Sequence, residues 1–256
     1  VYEDVVKRDG NGEHGLAARN RLALMALADG DQAIAERLVD EVLAADARNT
    51  QGLINRARIQ LQSRETDAAI ANLRSVLRDE PNSSQALLML ARAHIQSGAP
   101  ELARDYYVRA IRAAPSDATI SMEYAATLIR VQSFDQAEQV LESVLAMQPG
   151  NVAAIKAMAQ VKLSQQDWAA AQQLADRLQG LEGEQAVARQ IQGVALQGLK
   201  QYEESVDAFK RAHEASPSAA RPMVAVVRAY VRMGKADDAK AFLESVLAVD
   251  DDNVYA

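Results

Sequence analysis

The chain has 256 residues, 49% of them apolar but only 4% aromatic, with no cysteine and a formal charge of −7. The lack of cysteine excludes disulfides, thiolate metal sites and thiol nucleophiles while leaving the compartment open. The acidic balance argues against general nucleic-acid binding, which needs a basic surface, and no apolar run approaches the ~18–20 residues of a membrane span.

In chain order, Tyr2, Val5 and Val6 fall in the register of a second helix belonging to a preceding unit, so residues 1–15 read as the remnant of one. From there the sequence repeats. Pro81, Pro115 and Pro149 stand 34 residues apart, and Pro217 lies two intervals further on, with the helix-stopping Gly183 at the skipped position. Stepping from these residues divides the chain into 16–49, 50–83, 84–117, 118–151, 152–185, 186–219 and 220–253, with 254–256 opening a further unit. The last helix keeps Phe242, Leu243, Val246 and Leu247 without a following partner, which predicts a fragment of a longer array.

Each unit carries two blocks of apolar residues at helical spacing, such as Leu87, Leu88, Leu90, Ala91 and Ile95, then Leu102, Ala103, Tyr107, Ala110 and Ile111. Every unit is therefore predicted to be a helical hairpin. The break falls at Gly30, Gly98 and Gly234, or at polar pairs such as Gln165-Gln166, where the chain can turn through the left-handed conformation. An acid marks the start of the second helix at Asp67, Glu101, Asp135, Glu203 and Asp237. Where that position is Ala33 or Ala169, Asp31 or Asp167 stands two residues earlier. These carboxylates are expected to cap orphan amides and to complement the helix dipole.

The 34-residue interval and its residues resemble the tetratricopeptide repeat (TPR) family over nearly the whole chain. The small residue at the helix crossing recurs as Ala57, Ala91, Ala125, Ala159 and Gly193, and in the second helix as Ala35, Ala69, Ala103, Ala137, Ala171 and Ala239. The large apolar position is Leu73, Tyr107, Leu141, Phe209 and Leu243, and an aromatic opens the second helix at Phe134, Trp168 and Tyr202. All are read as packing residues, so Trp168 requires no cofactor. Arg19, Arg189, Arg56 and Val227 depart from the pattern and predict looser packing. The resemblance implies an all-α, right-handed α-solenoid of about seven helix-turn-helix repeats.

No metal or catalytic constellation emerges. His94 occupies the position usually held by an interface tyrosine and is expected to be buried, while His14 and His213 lie far from it. Paired acids such as Glu203-Glu204 and Asp237-Asp238 sit at helix starts, where capping and solvation account for them. The chain is therefore read as non-enzymatic, without cofactor or metal.

In proteins similar to this family, ligands meet six positions on the first helices, which line a concave face. Here those positions carry Arg21, Arg58, Arg92, Arg130, Lys156, Arg221, Arg228 and Arg232 against the single acid Glu123, giving that face +7 within a chain of −7. Amides fill much of the remainder, including Asn20, Asn55, Gln62, Gln96, Gln160 and Gln190. Arg and Gln together can hydrogen-bond extended backbones, carboxylates or sugar hydroxyls. The family's chaperone-tail clamp is not matched, because only Lys156 supplies Lys at its position.

The chain is accordingly read as a protein-interaction scaffold that takes a protein or extended acidic peptide in a basic groove, with an anionic polysaccharide as a second fit and no nucleic acid. The excess of Arg (21) over Lys (7) points to a bacterial source. Fold-level analogy then suggests a cell-envelope or exopolysaccharide-secretion assembly, with the cytoplasm left open. The alternative is the recognition or regulatory arm of an enzyme or regulator whose catalytic domain lies outside these residues. End-to-end self-association is a further expectation.

Overall fold

The computed structural model describes residues 1–217 and 219–248. Among them are fifteen α-helices and no strand: α1 (Tyr2–Asp9), α2 (Glu13–Asp29), α3 (Gln32–Ala45), α4 (Thr50–Gln62), α5 (Thr66–Asp79), α6 (Ser84–Gln96), α7 (Pro100–Ala113), α8 (Ala118–Arg130), α9 (Phe134–Met147), α10 (Val152–Ser164), α11 (Trp168–Gln179), α12 (Gln185–Gly198), α13 (Tyr202–Ala215), α14 (Ala220–Arg232) and α15 (Ala236–Leu247). The fold is all-α and of the α-solenoid class. The residues expected to open a further unit lie outside the described residues.

The second helices start at 32, 66, 100, 134, 168, 202 and 236, always 34 residues apart. One backbone device sets this interval. Gly30, Arg64, Gly98, Gln132, Gln166, Lys200 and Gly234 all have φ between 60° and 84°. The amide after each donates to the carbonyl five residues before it, from Asp31 N to Ala26 O through Lys235 N to Tyr230 O, at 2.8–2.9 Å. This left-handed closure satisfies carbonyls that the ending helix leaves unpaired. Four of the seven positions hold Arg, Gln or Lys, so glycine is only one way of filling the turn. The prolines act at the other end of each hairpin, two residues past the last helical residue at Asp79, Ala113, Met147 and Ala215.

The capping expectation needs correction. Asp167 does cap its helix, accepting from Ala170 N at 3.1 Å, but Asp31 makes no such bond. Asp67, Glu101, Asp135, Glu203 and Asp237 all lie inside the first turn rather than at its cap. There they complement the positive end of the helix dipole. Side-chain capping falls instead to Asn49 and Asn151, which bond Gly52 N at 2.9 Å and Ala154 N at 3.0 Å at the starts of α4 and α10.

Packing divides the chain into two compact units, Val1–Ser121 and Met122–Ala256. In the first, α2 packs on α3 and α4, and α4 on α5 and α6, so successive first helices touch one another. Its core contains Leu53, Leu73, Leu87, Leu90 and Tyr107, each worth roughly 1.5–3 kcal/mol of burial. In the second unit α10 packs on α11 and α12, and α12 on α13. Leu141, Ile155, Leu178, Phe209 and Met223 are buried there.

The small positions are closed to water, with Ala57, Ala91, Ala125 and Ala159 all at 0% exposure. Trp168 lies against Gly198, where an added Cβ would come within 2.3 Å of the indole, so the ring is a packing element at the end of α12.

The three departing arginines each make a polar pair. Arg19 donates to Glu41 at 3.0 Å, Arg56 pairs with Asp40, and Arg189 donates to Gln192 at 2.9 Å. Polar links also join the start of a second helix to the end of the next first helix or the turn after it: Gln32 to Ser63, Thr66 to Gln96, Asp135 to Gln165, and Glu203 to Lys235.

Candidate partner-binding surface

The first helices carry all twelve residues predicted to meet a partner, but the structure gives them different surroundings. In the first unit, Arg21 projects from α2 into a cleft of about 470 Å³ shared with Arg48, Asp46, Thr50 and Gln51. Arg58, on α4, is half-buried, and its Nε is buried without a hydrogen-bond partner. Burial, and secondarily the charge of Arg92, pushes the guanidinium's pKa below its ordinary value. Arg92, one repeat on, is close enough for its charge to disfavour the Arg58 cation. Gln62 and Arg92 are exposed beside them.

Asn55 and Gln96 are already engaged inside the protein. Asn55 is fully buried, and its Nδ2 donates to Asn20 O and Oδ1 at 3.2 and 3.1 Å while its Oδ1 accepts from Gln51 at 3.0 Å. Asn20 in turn donates to Asn49 at 3.0 Å. The result is a buried amide network joining α2 to α4, and Asn55 does not present its side chain to a partner. Gln96 Nε2 donates to Leu61 O at 3.0 Å and its Oε1 accepts from Thr66, tying α6 to the preceding turn.

In the second unit, Arg130 stands exposed in the last turn of α8, where its charge also suits the helix dipole. Lys156 Nζ donates to Glu184 Oε1 at 2.8 Å. Since Glu184 lies outside the six ligand-facing positions, the formal +7 overstates the field around Lys156. Gln160 remains exposed. Arg221, Arg228 and Arg232 project from α14 into a cleft of about 450 Å³ between α12 and α14, and none makes an ion pair among the described residues. Val194 and Phe209 also line this cleft. Phe209 was expected only as core, because nothing in its spacing separates a buried ring from one that also floors a cleft.

His94 is buried at 4% exposure and stacks on Tyr106 at 5.3 Å, with an interplanar angle of 10°. Burial, and then the charge of Arg74, lowers its pKa and favours the neutral ring. His213 meets the edge of Phe242 at 5.8 Å. Among the described residues no group of three His, Asp or Glu is placed to hold a metal ion, and no helix is long and apolar enough to cross a membrane.

No curated protein matches the chain. Solved structures do match it in fold. The C-terminal part of a TPR repeat-containing protein from Cytophaga hutchinsonii superposes with a TM-score of 0.74 at 14% identity, covering 92% of this chain and 96% of that one. A tetratricopeptide repeat protein from Parabacteroides merdae gives 0.62 at 14% identity over 97% and 93% of the two chains. Pseudomonas aeruginosa pilF gives 0.56 at 18% identity over 82% and 96%. The model of the cytochrome c-type biogenesis protein H TPR domain matches residues 71–187, and a general tetratricopeptide repeat model matches residues 196–256. Together the two span more than two thirds of the sequence, and with the paired helices at a 34-residue interval they show that the chain belongs to the tetratricopeptide repeat family.

Proposed function

We propose that this protein-interaction scaffold takes an acidic, extended segment of a partner protein against the inner faces of its first helices. The observation that carries the reading is Arg58. A half-buried guanidinium with an unpartnered buried Nε, its pKa lowered by burial and then by the charge of Arg92, is stabilised by an incoming carboxylate. Exposed Arg21, Arg130 and the three arginines of α14 extend the same preference along the first helices. Such a surface uses charge and hydrogen bonds to position a partner and needs no catalytic group. The name of the matched family, with its reference to biogenesis, supports work on the assembly of other proteins. A bacterial cell-envelope setting is part of the same proposal.

The test is anisotropy titration of the full chain with a labelled hexaglutamate peptide, with and without Arg58→Glu plus Arg92→Glu. Reversal is expected to weaken binding about tenfold or more, consistent with the loss of charged hydrogen bonds, and added salt should weaken wild-type binding. Equal affinity of the two proteins would refute the assignment. Binding of an anionic polysaccharide in preference to the peptide would replace the protein partner by a glycan.

A further inference from the structure

The cleft between α12 and α14 is both basic and apolar, and its lining carries no carboxylate. On α14, Arg221, Arg228 and Arg232 line it together with Val224, which is 36% exposed. Across the cleft, α12 contributes Val194 together with the amides of Gln190 and Gln197, and Phe209 of α13 closes the floor. Gly193 lets that floor sit where it does, since a Cβ there would come within 2.5 Å of the Phe209 ring. An all-charged ligand would leave the valines in water. A purely apolar ligand would leave three arginines facing one another without a carboxylate among the described residues.

Spacing narrows the ligand further. Arg221 and Arg228 lie seven residues apart on one helix, about 10.5 Å along its axis. In an extended peptide, residues i and i+4 lie about 13 Å apart on one face, with i+2 between them on that same face. The flexible arginine stems absorb the difference. We infer that this cleft reads an acid-x-apolar-x-acid motif in a partner protein, its two carboxylates held by the arginines of α14 and its central apolar side chain seated between Val194, Val224 and Phe209. This rests on the acidic-partner reading above and adds the apolar anchor and its spacing.

The test uses two labelled, end-blocked peptides, Asp-Ser-Leu-Ser-Asp and Asp-Ser-Ser-Ser-Asp, titrated against the full chain and against Val224→Asp. Position 224 is on an exposed face, so this variant should keep wild-type circular dichroism. The leucine peptide is expected to bind wild type about tenfold tighter than the serine peptide, the order expected for burying one aliphatic side chain. That preference should vanish in Val224→Asp. Equal affinity of the two peptides for wild type would overturn the anchor while leaving an acidic partner in place. Loss of all binding in Arg228→Glu plus Arg232→Glu, with the leucine preference intact in Val224→Asp, would place the apolar residue elsewhere and also overturn it. If neither peptide binds wild type while hexaglutamate does, the motif itself is wrong.

Discussion

Gly193 and Phe209 offer a test of how tightly the repeat frame constrains the second unit. A Cβ at position 193 would lie 2.5 Å from Phe209 Cε1 and 2.6 Å from Cδ1, whereas carbon atoms pack at about 3.5–4.0 Å. Phe209 is 1% exposed, packed in the core beneath the cleft, so its ring has to move about 1 Å against its neighbours. Overpacking of this kind costs about 1–3 kcal/mol, and replacing a helical glycine by alanine returns about 1 kcal/mol of propensity. Gly193→Ala should therefore be neutral to about 2 kcal/mol destabilising. In a Phe209→Leu background the clash disappears, and the same substitution should become stabilising by about 1 kcal/mol. Urea unfolding followed by circular dichroism and by the emission of Trp168, which packs against Gly198 of α12, measures both steps. The reasoning fails if Gly193→Ala changes stability equally in the two backgrounds, within the ~0.5 kcal/mol expected of independent sites.

The left-handed turns give a second expectation: replacing Arg64, Gln132, Gln166 or Lys200 by Gly removes a conformation that is unfavourable for a side chain, at some entropic cost, for a net gain of roughly 0.5–1 kcal/mol each by thermal melting. Asn55→Leu should lose about 1–3 kcal/mol in urea unfolding, because it strands Asn20 in the buried network joining α2 to α4. Acid should destabilise the fold through two groups. His94 has a folded pKa below its ordinary 6.5, so its contribution is complete above that value and is lost as pH falls below it towards the folded one. Glu138 is held below 4.5 chiefly by a hydrogen bond from Lys162 and then by one from Gln165, so its contribution is lost as pH falls through its folded pKa. His94→Phe, which keeps a ring against Tyr106, should flatten the upper part of that profile, and an unchanged slope between about pH 7 and pH 5 would show that His94 does not titrate on unfolding.

The frame of this protein is legible in its sequence because it depends on periodic, local chemistry. A proline two residues past a helix, an alanine at a crossing and a large apolar residue sixteen positions later each repeat at 34, and each acts within its own hairpin or on the next. The turn is less legible. Arg64 and Lys200 adopt the same left-handed backbone as Gly98, since packing of the two helices fixes the path and the side chain points away from it. Least legible is which polar groups remain available on the first helices. Lys156 and Arg228 both fall on ligand-facing positions, yet the first is bound by Glu184, 28 residues away on the next first helix's cap, while the second has no ion pair among the described residues. Asn55 and Gln160 are both amides on ligand-facing positions, but Asn55 is buried and claimed by Asn20 and Gln51 while Gln160 is exposed. Register locates a face, but neighbouring repeats decide which of its groups are already satisfied. On the proposal above, a partner meets the groups those neighbours leave over: Arg58, and the arginines and Val224 of α14.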